Sequence, residues 1–452
     1  MRAWRTWMTI PVLVAAGVAV VSVALRLWQA NGRVPGWWND TGAYADIAER
    51  SLSSGRFWMG HRPAGVPLVL KAAGDEPSYA FMYVNIAVAG LAWGWLCGEL
   101  VRTLRVTGIR AVAVAGVVLG FSCVSDLMLW DSQVLSESLS ISLAAAIVAA
   151  TLRLLRVRST GSVVDLLVLA FAWSLLRDSH AITLLVLAVA GIVWMRRFAP
   201  SDVPRRLAVA GIAGLVLVAG LSMTSALVGH RDLVPLADVF AARILGYPDR
   251  VDWFDDHGMP QADEIREAGS SFGPDAGTRI LELGRNDPKW AEWWDWLESD
   301  GKATWVRFAL ENPTYIFLEP MKDPERVFNN AGDDLKGYAG SLREVPFVDD
   351  VFWPETTLVL FALGAFSVPL IGRRPPRLVA VGWVLIAAAA VSGLATWHSG
   401  GQEPLRHLLI SAFELRLGVL LVAIGVLVDR LREPGPPAPD DDAVDERAYS
   451  GA

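Results

Sequence analysis

The chain has 452 residues, of which 53% are hydrophobic and only 19% charged, with a mean hydropathy of +0.38. A soluble domain carries about a quarter charged residues, and here the apolar residues fall in blocks approaching the roughly 20 needed to cross a bilayer. That excludes a soluble enzyme, a secreted disulfide scaffold and a disordered chain, and a formal net charge of −7 without a basic stripe argues against nucleic acid. Cys97 and Cys123 lie in apolar blocks and read as small hydrophobes. No Cys or His cluster has metal-ligand spacing; no cofactor is implied, and a divalent metal is allowed without being indicated. The excess of Arg over Lys fits a GC-rich bacterial genome, a coding bias without functional content.

In chain order, Arg2 and Arg5 precede an apolar run from Met8 to Leu25, which reads as an uncleaved first helix closed by an interface anchor, Arg26-Leu27-Trp28. Further apolar blocks at 79–100, 110–125, 134–152, 163–176, 180–195, 207–228, 356–372, 377–397 and 408–428 bring the expected number of spans to about ten. With the N-terminus inside, every inner loop is Arg-rich, for example Arg102, Arg105 and Arg110, then Arg153, Arg156 and Arg158. Both termini are then cytoplasmic, in a multi-pass protein of the cytoplasmic membrane. The domains expected are a membrane module at 1–228, an acidic, Trp-rich extracytoplasmic domain at 229–355, C-terminal spans at 356–430 and a disordered tail at 431–452. Within 229–355, short helices are expected near 261–269 and 287–310, with turns at Tyr247-Pro248-Asp249 and Gly273-Pro274-Asp275.

Polar residues close to membrane depth gather on the outer side. The first outer segment carries Asp40, which is expected either to cap a surface helix or to act in chemistry, and the helix is expected to run to Ser53 with Gly55 closing it. Its apolar side, Tyr44, Ile47, Ala48 and Leu52, recurs at helical spacing, as in an amphipathic helix on a membrane surface. A second surface helix follows His61-Arg62-Pro63. In the next outer segment Asp131 or Ser132 is expected to cap the following helix, whereas Glu137, one turn into an apolar helix, is too costly to be unpaired. Arg177 and Asp178 read as an interface pair beside a hydrogen-bonded His180. The last outer segment holds Glu403, Arg406 and His407, followed inside the helix by Glu414 and Arg416. Snorkelling accounts for Arg406 but poorly for Arg416, for which an anion is a reasonable partner.

These residues resemble the membrane-embedded GT-C glycosyltransferases, most closely the protein mannosyltransferase and aminoarabinose transferase branch. The resemblance lies in Asp40, Tyr44, Ile47, Ala48, Leu52 and Gly55, then Arg62-Pro63, Gly65 and Pro67-Leu68. The Leu135–Leu139 "L-S-E-S-L" and the "E-x-x-R-H" at 403–407 extend it, so it covers about the first 200 residues and a weaker stretch near 403–416. It implies an all-α GT-C fold, a polyprenyl-phosphate-linked sugar as donor, and an extracytoplasmic glycan, lipid or protein as acceptor. Asp40 matches the family's catalytic base. Thr41 stands where many members have a second acid, a departure that bears on any two-carboxylate or metal-dependent site.

Inverting transfer from a lipid phosphate needs one base and no general acid, because the phosphate leaves as a stable anion. Arg62, Arg406 and Arg416 are the expected phosphate ligands, Asp131 and Glu137 the groups that orient Asp40 or a sugar hydroxyl, and Tyr44, Arg177, His180 and Glu403 further parts of the binding surface. The tryptophans of 229–355 either stack on a glycan or form that domain's own core. Two other readings remain: a transporter, which calls for broken helices and midplane charges, and a non-catalytic envelope protein.

Overall fold

The computed structural model describes residues 2–74, 79–197, 204–260, 287–322, 327–328, 345, 347–368, 376–399 and 404–431. Their helices are α1 (Arg2–Ala30), α2 (Asn39–Ala48), α3 (Gly55–Trp58), α4 (Gly65–Ala73), α5 (Tyr79–Leu104), α6 (Gly108–Ser122), α7 (Ser125–Met128), α8 (Glu137–Val157), α9 (Thr160–Ser174), α10 (His180–Arg197) and α11 (Arg205–Val228). There follow α12 (Leu233–Val239), α13 (Pro248–Asp255), α14 (Ala291–Trp296), α15 (Lys302–Glu311), α16 (Pro313–Met321), α17 (Val348–Phe352), α18 (Thr356–Ser367), α19 (Arg377–Ser399) and α20 (Pro404–Arg430). Among the described residues the only strand-like pairing is a single bridge between Gly36 and Gln133.

Among the described residues six helices are long and apolar enough to cross a membrane: α1 from Thr9, α5, α8, α11, α19, and α20 from Arg406. A seventh span is formed if α6 is joined to Ser125–Ser132 across a 58° bend. The other three expected spans are helical but shorter, at Thr160–Ser174, His180–Arg196 and Thr356–Ser367. This is the architecture of a helical membrane protein. The most apolar stretch of α20 is 89% buried and that of α1 22%, which puts α20 at the centre of the bundle and α1 on its periphery.

The packing rests on small residues. Gly90, Gly94 and Gly98 recur one turn apart on α5 and face Ala15 and Ala19 of α1; a Cβ on Gly94 would lie 2.7 Å from the Ala15 carbonyl oxygen. Gly382 of α19 and Gly418 of α20 meet in the same way, the Cβ position of one 2.6 Å from the other's carbonyl oxygen. Backbones approach this closely where helix association depends on van der Waals contact rather than on expulsion of water. Trp93, Phe121 and Phe413 fill the centre, with ring centroids 5.7–6.0 Å apart.

Side-chain contacts sort the helix ends into two groups. Residues 26–62, 131–137, 177–180, 225–231 and 404–407 meet at one end; Glu99, Arg102, Arg156 and Arg377 meet at the other.

Residues 233–316 carry a separate aromatic core of Phe240, Phe254, Trp290, Trp293, Trp294, Trp296 and Phe308. It rests on the end of α19, where Arg243 lies 4.2 Å over the Trp397 ring and His398 Nε2 is 2.8 Å from the Ile316 carbonyl. Its tryptophans are therefore core residues, Trp293 packed against Trp294 and Trp296 and Phe240 edge-on to Trp293 and Trp296. The expected helix at 287–310 is present, divided by a π-turn at Leu297–Gly301, and Pro248 opens α13. The expected helix near 261–269, the turn at 273–275 and the tail from 432 lie outside the described residues.

Several local expectations are corrected. Arg26 is no interface anchor: α1 continues to Ala30, and Arg26 is buried at 2% exposure in an ion pair with Asp131. Helix α2 stops at Ala48 rather than Ser53, and Gly55 opens α3 instead of ending α2. The N-terminus of α8 falls at Glu137, so neither Asp131 nor Ser132 caps it.

Candidate functional site

A strap holds the two halves of the site together. The Gly36 amide donates to the Ser132 carbonyl at 2.8 Å, and the Val134 amide donates to the Gly36 carbonyl at 3.1 Å. Trp38 Nε1 donates to Gln133 Oε1 at 2.7 Å, and Thr41 Oγ1 donates to the Val134 carbonyl at 3.0 Å while accepting from the Trp38 amide. Thr41 thus closes the first turn of α2, and Asp40 does not cap it. The Gly65 amide donates to the Leu175 carbonyl at 2.7 Å, which seats α4 on the end of α9 and brings Arg62 over Asp40.

At the centre Asp40 pairs with Arg62, Nη2 to Oδ1 at 2.6 Å, and with Arg406 through the other carboxylate oxygen. Arg406 Nε also donates to Glu137 Oε1 at 2.8 Å, and Arg177 Nη1 donates to the same oxygen at 3.3 Å. Arg177 Nη2 is 2.5 Å from His407 Nδ1. Burial raises the Asp40 carboxyl, but Arg406 and Arg62 outweigh it and hold it down at about 2. Burial pushes the Tyr44 hydroxyl, one turn along α2, up to about 12, helped by Asp40 and Glu137. Among the described residues three guanidiniums against two carboxylates leave one excess positive charge. Two buried atoms of the cluster, Glu137 Oε2 and Arg62 Nε, have no hydrogen-bond partner among the described residues. The exposure is graded: the Arg62 side chain is 38% exposed, Asp40 16% and Glu137 0%.

Three expected residues do not join this cluster. Asp131 is bound by Arg26 and accepts from Ser138 Oγ at 2.6 Å, so its carboxylate is committed inside the bundle rather than aimed at Asp40. His180 Nδ1 donates to the Trp173 carbonyl, 2.8 Å away, and the imidazole stacks on the Trp173 ring at 3.9 Å. Among the described residues Arg416 donates to the carbonyls of Phe328, Pro354 and Ala412 and lies 4.4 Å over Trp353. Glu403 lies outside the described residues. The Arg177–Asp178 pair is also replaced, since Arg177 turns to Glu137 and Asp178 accepts two hydrogen bonds from Arg231 at 2.9 Å.

Two participants were given no role in the sequence reading. His407 bears on Arg177. Asp238 of α12 is 6% exposed, with its Oδ1 unpartnered, and burial raises its carboxyl to about 7 against the pull of Arg62. A lone acid in the otherwise apolar stretch Leu233–Phe240 was the available signal.

An apolar cavity of about 180 Å³ lies within the same bundle, between α8, α9, α10, α11 and α19, with Glu414 and Thr183 as its polar end. Glu414 Oε2 accepts from Ser392 Oγ at 3.2 Å. Among the described residues, no three His, Cys, Asp or Glu side chains converge in a way that could hold a metal ion.

No protein-family model matches the chain, and no curated protein matches it.

Proposed function

We propose that the protein is a membrane-embedded inverting glycosyltransferase of the GT-C type, taking its sugar from a polyprenyl-phosphate donor with Asp40 as the base. The observation that carries this reading is Asp40 clamped between Arg62 and Arg406 at the end of an apolar bundle, in a cluster with one surplus positive charge. A phosphate monoanion or diester is the natural occupant of that surplus.

The clamp suggests how binding and catalysis are coupled. A carboxylate held at about 2 is a feeble base. A donor phosphate that draws Arg62 to itself removes one of the two cations holding Asp40 down, so the carboxylate gains basicity as the donor arrives. Asp40 then takes the proton of the acceptor hydroxyl while the acceptor oxygen bonds to the anomeric carbon. The bond from that carbon to the phosphate oxygen breaks with its electron pair on the phosphate, where Arg62 and Arg406 stabilise the growing charge. Glu137 and Arg177 hold Arg406 in place. The apolar cavity beside Glu414 suits part of a prenyl chain. The acceptor is an envelope glycan, lipid or protein, and the Arg-rich helix ends at the opposite end of the bundle support an extracytoplasmic site.

The test is release of polyprenyl phosphate by the purified protein from a panel of polyprenyl-phosphate sugars with envelope acceptors. Asp40→Asn is expected to lower turnover by about 10²–10⁴-fold with donor binding retained. Equal turnover in the variant would remove Asp40 as the base, and no release from any donor by the folded wild-type protein with any acceptor would remove the reaction.

A further inference from the structure

At the end of the bundle away from Asp40, α5, α8, α19 and α20 finish around a cavity of about 720 Å³. Four arginines line it: Arg102, Arg105, Arg156 and Arg377. Between them are aliphatic side chains, among them Leu155 and Val428. Buried Glu99 holds two of the arginines, at 2.7 Å from Arg102 Nη1 and 2.7 Å from Arg156 Nη2. Arg377 Nη1 reaches the Leu155 carbonyl at 3.4 Å. Among the described residues nothing pairs with Arg105, which sits at φ +53°, a backbone region costly for a long side chain. Among the described residues, with Glu99 and Asp429 as the local acids, the surround carries a surplus of two positive charges.

Arginines at a helix end are ordinary at a cytoplasmic face. A cavity that four of them share with aliphatic walls is not, and basic pockets between spanning helices suit anionic headgroups. A soluble phosphate would satisfy the charge but would leave the aliphatic wall against water. We propose that this cavity binds the phosphodiester headgroup of an anionic phospholipid from the adjoining leaflet, with Arg105 and Arg377 on the phosphate and the glycerol end of the lipid against Leu155 and Val428. The site is independent of any reaction at Asp40.

The test uses the full-length protein in lipid nanodiscs, with native mass spectrometry counting retained lipid. One arm compares phosphatidylglycerol with phosphatidylcholine, and a second adds inorganic phosphate as competitor. Wild-type protein is expected to retain phosphatidylglycerol in preference to phosphatidylcholine, with millimolar phosphate failing to displace it. The double variant R105Q/R377Q leaves the Glu99 cluster intact and is expected to bind phosphatidylglycerol about 30-fold more weakly. Arg153→Gln removes a cation of the same face that pairs with Asp165 at 3.0 Å outside the cavity, and is expected to bind as wild type does. Equal retention of the two lipids by wild-type protein would overturn the site, whether or not the double variant folds. Equal loss in Arg153→Gln would reduce it to diffuse surface charge, and displacement by inorganic phosphate would assign it to a soluble ligand instead.

Discussion

Asp40 and its two arginines differ in what they contribute. Arg406 is nearly buried and bridges Asp40 and Glu137, whereas Arg62 is more than a third exposed. Removing one partner of a buried ionic network leaves a charge uncompensated and costs about 3–5 kcal/mol; an exposed pair is worth under about 1 kcal/mol. Arg406→Gln is therefore expected to lower thermal stability strongly and Arg62→Gln barely, while both abolish donor turnover. Thermal melting in detergent beside the release assay separates the two effects, and a large loss of stability in Arg62→Gln would contradict this division. The acid Asp238 gives a pH signature. Its carboxyl is raised in the folded protein from about 3.8 to about 7. Between these values the unfolded chain loses the proton and the folded one keeps it, so stability falls as pH rises from about 4 to 7 and is level above. Asp238→Asn is expected to remove that slope, matching wild-type stability near pH 4 and exceeding it at pH 8. Parallel curves for the two proteins would show that Asp238 is not buried as described.

Among the elements, the strap at Gly36 and the seat of α4 decide where the charged residues stand. Both rest on contacts between segments about a hundred residues apart, which no local pattern announces. A Cβ on Gly65 would come within 2.8 Å of the Leu175 carbonyl oxygen and 2.7 Å of a Leu176 methyl. Gly65→Ala is expected to cost about 1–3 kcal/mol, as overpacking does, and to lower activity through displacement of Arg62 from Asp40. Wild-type turnover in this variant would show that α4 does not position Arg62. The early end of α2 has the same origin. Residues after Ala48 turn toward α3 and α4, where Ile47, Phe57 and Ala64 share a small core, so tertiary packing ended a helix that periodicity extended to Ser53.

For the whole molecule, two cores can be perturbed separately. The membrane bundle is held by α1, α5, α8, α19 and α20, and the aromatic domain by its own rings. Trp293 is 1% exposed and packs on Phe240, Trp294 and Trp296. Trp293→Ala is expected to destabilise the aromatic domain by about 3–5 kcal/mol and to expose it to protease while the helical fragments of the bundle persist. Simultaneous loss of both would show that they fold as one unit.

The sequence by itself determined the helical membrane character. Apolar blocks of sufficient length and clustered arginines are local properties, and among the described residues each of the ten blocks contains a helix, six of these helices being long enough to span. It also marked Asp40, Tyr44, Arg62, Glu137, Arg177 and Arg406 as residues whose charge or position needed explaining, because a polar group near hydrocarbon is costly wherever the chain folds. Pairing was decided only in three dimensions. Arg26, read as an anchor, is buried against Asp131, and Arg416, read as an anion ligand, donates to backbone carbonyls. Trp290, Trp293, Trp294 and Trp296 became a core for the same reason. A charge or a ring declares in sequence that it needs a partner, but which partner it finds depends on the distances that packing sets between remote segments.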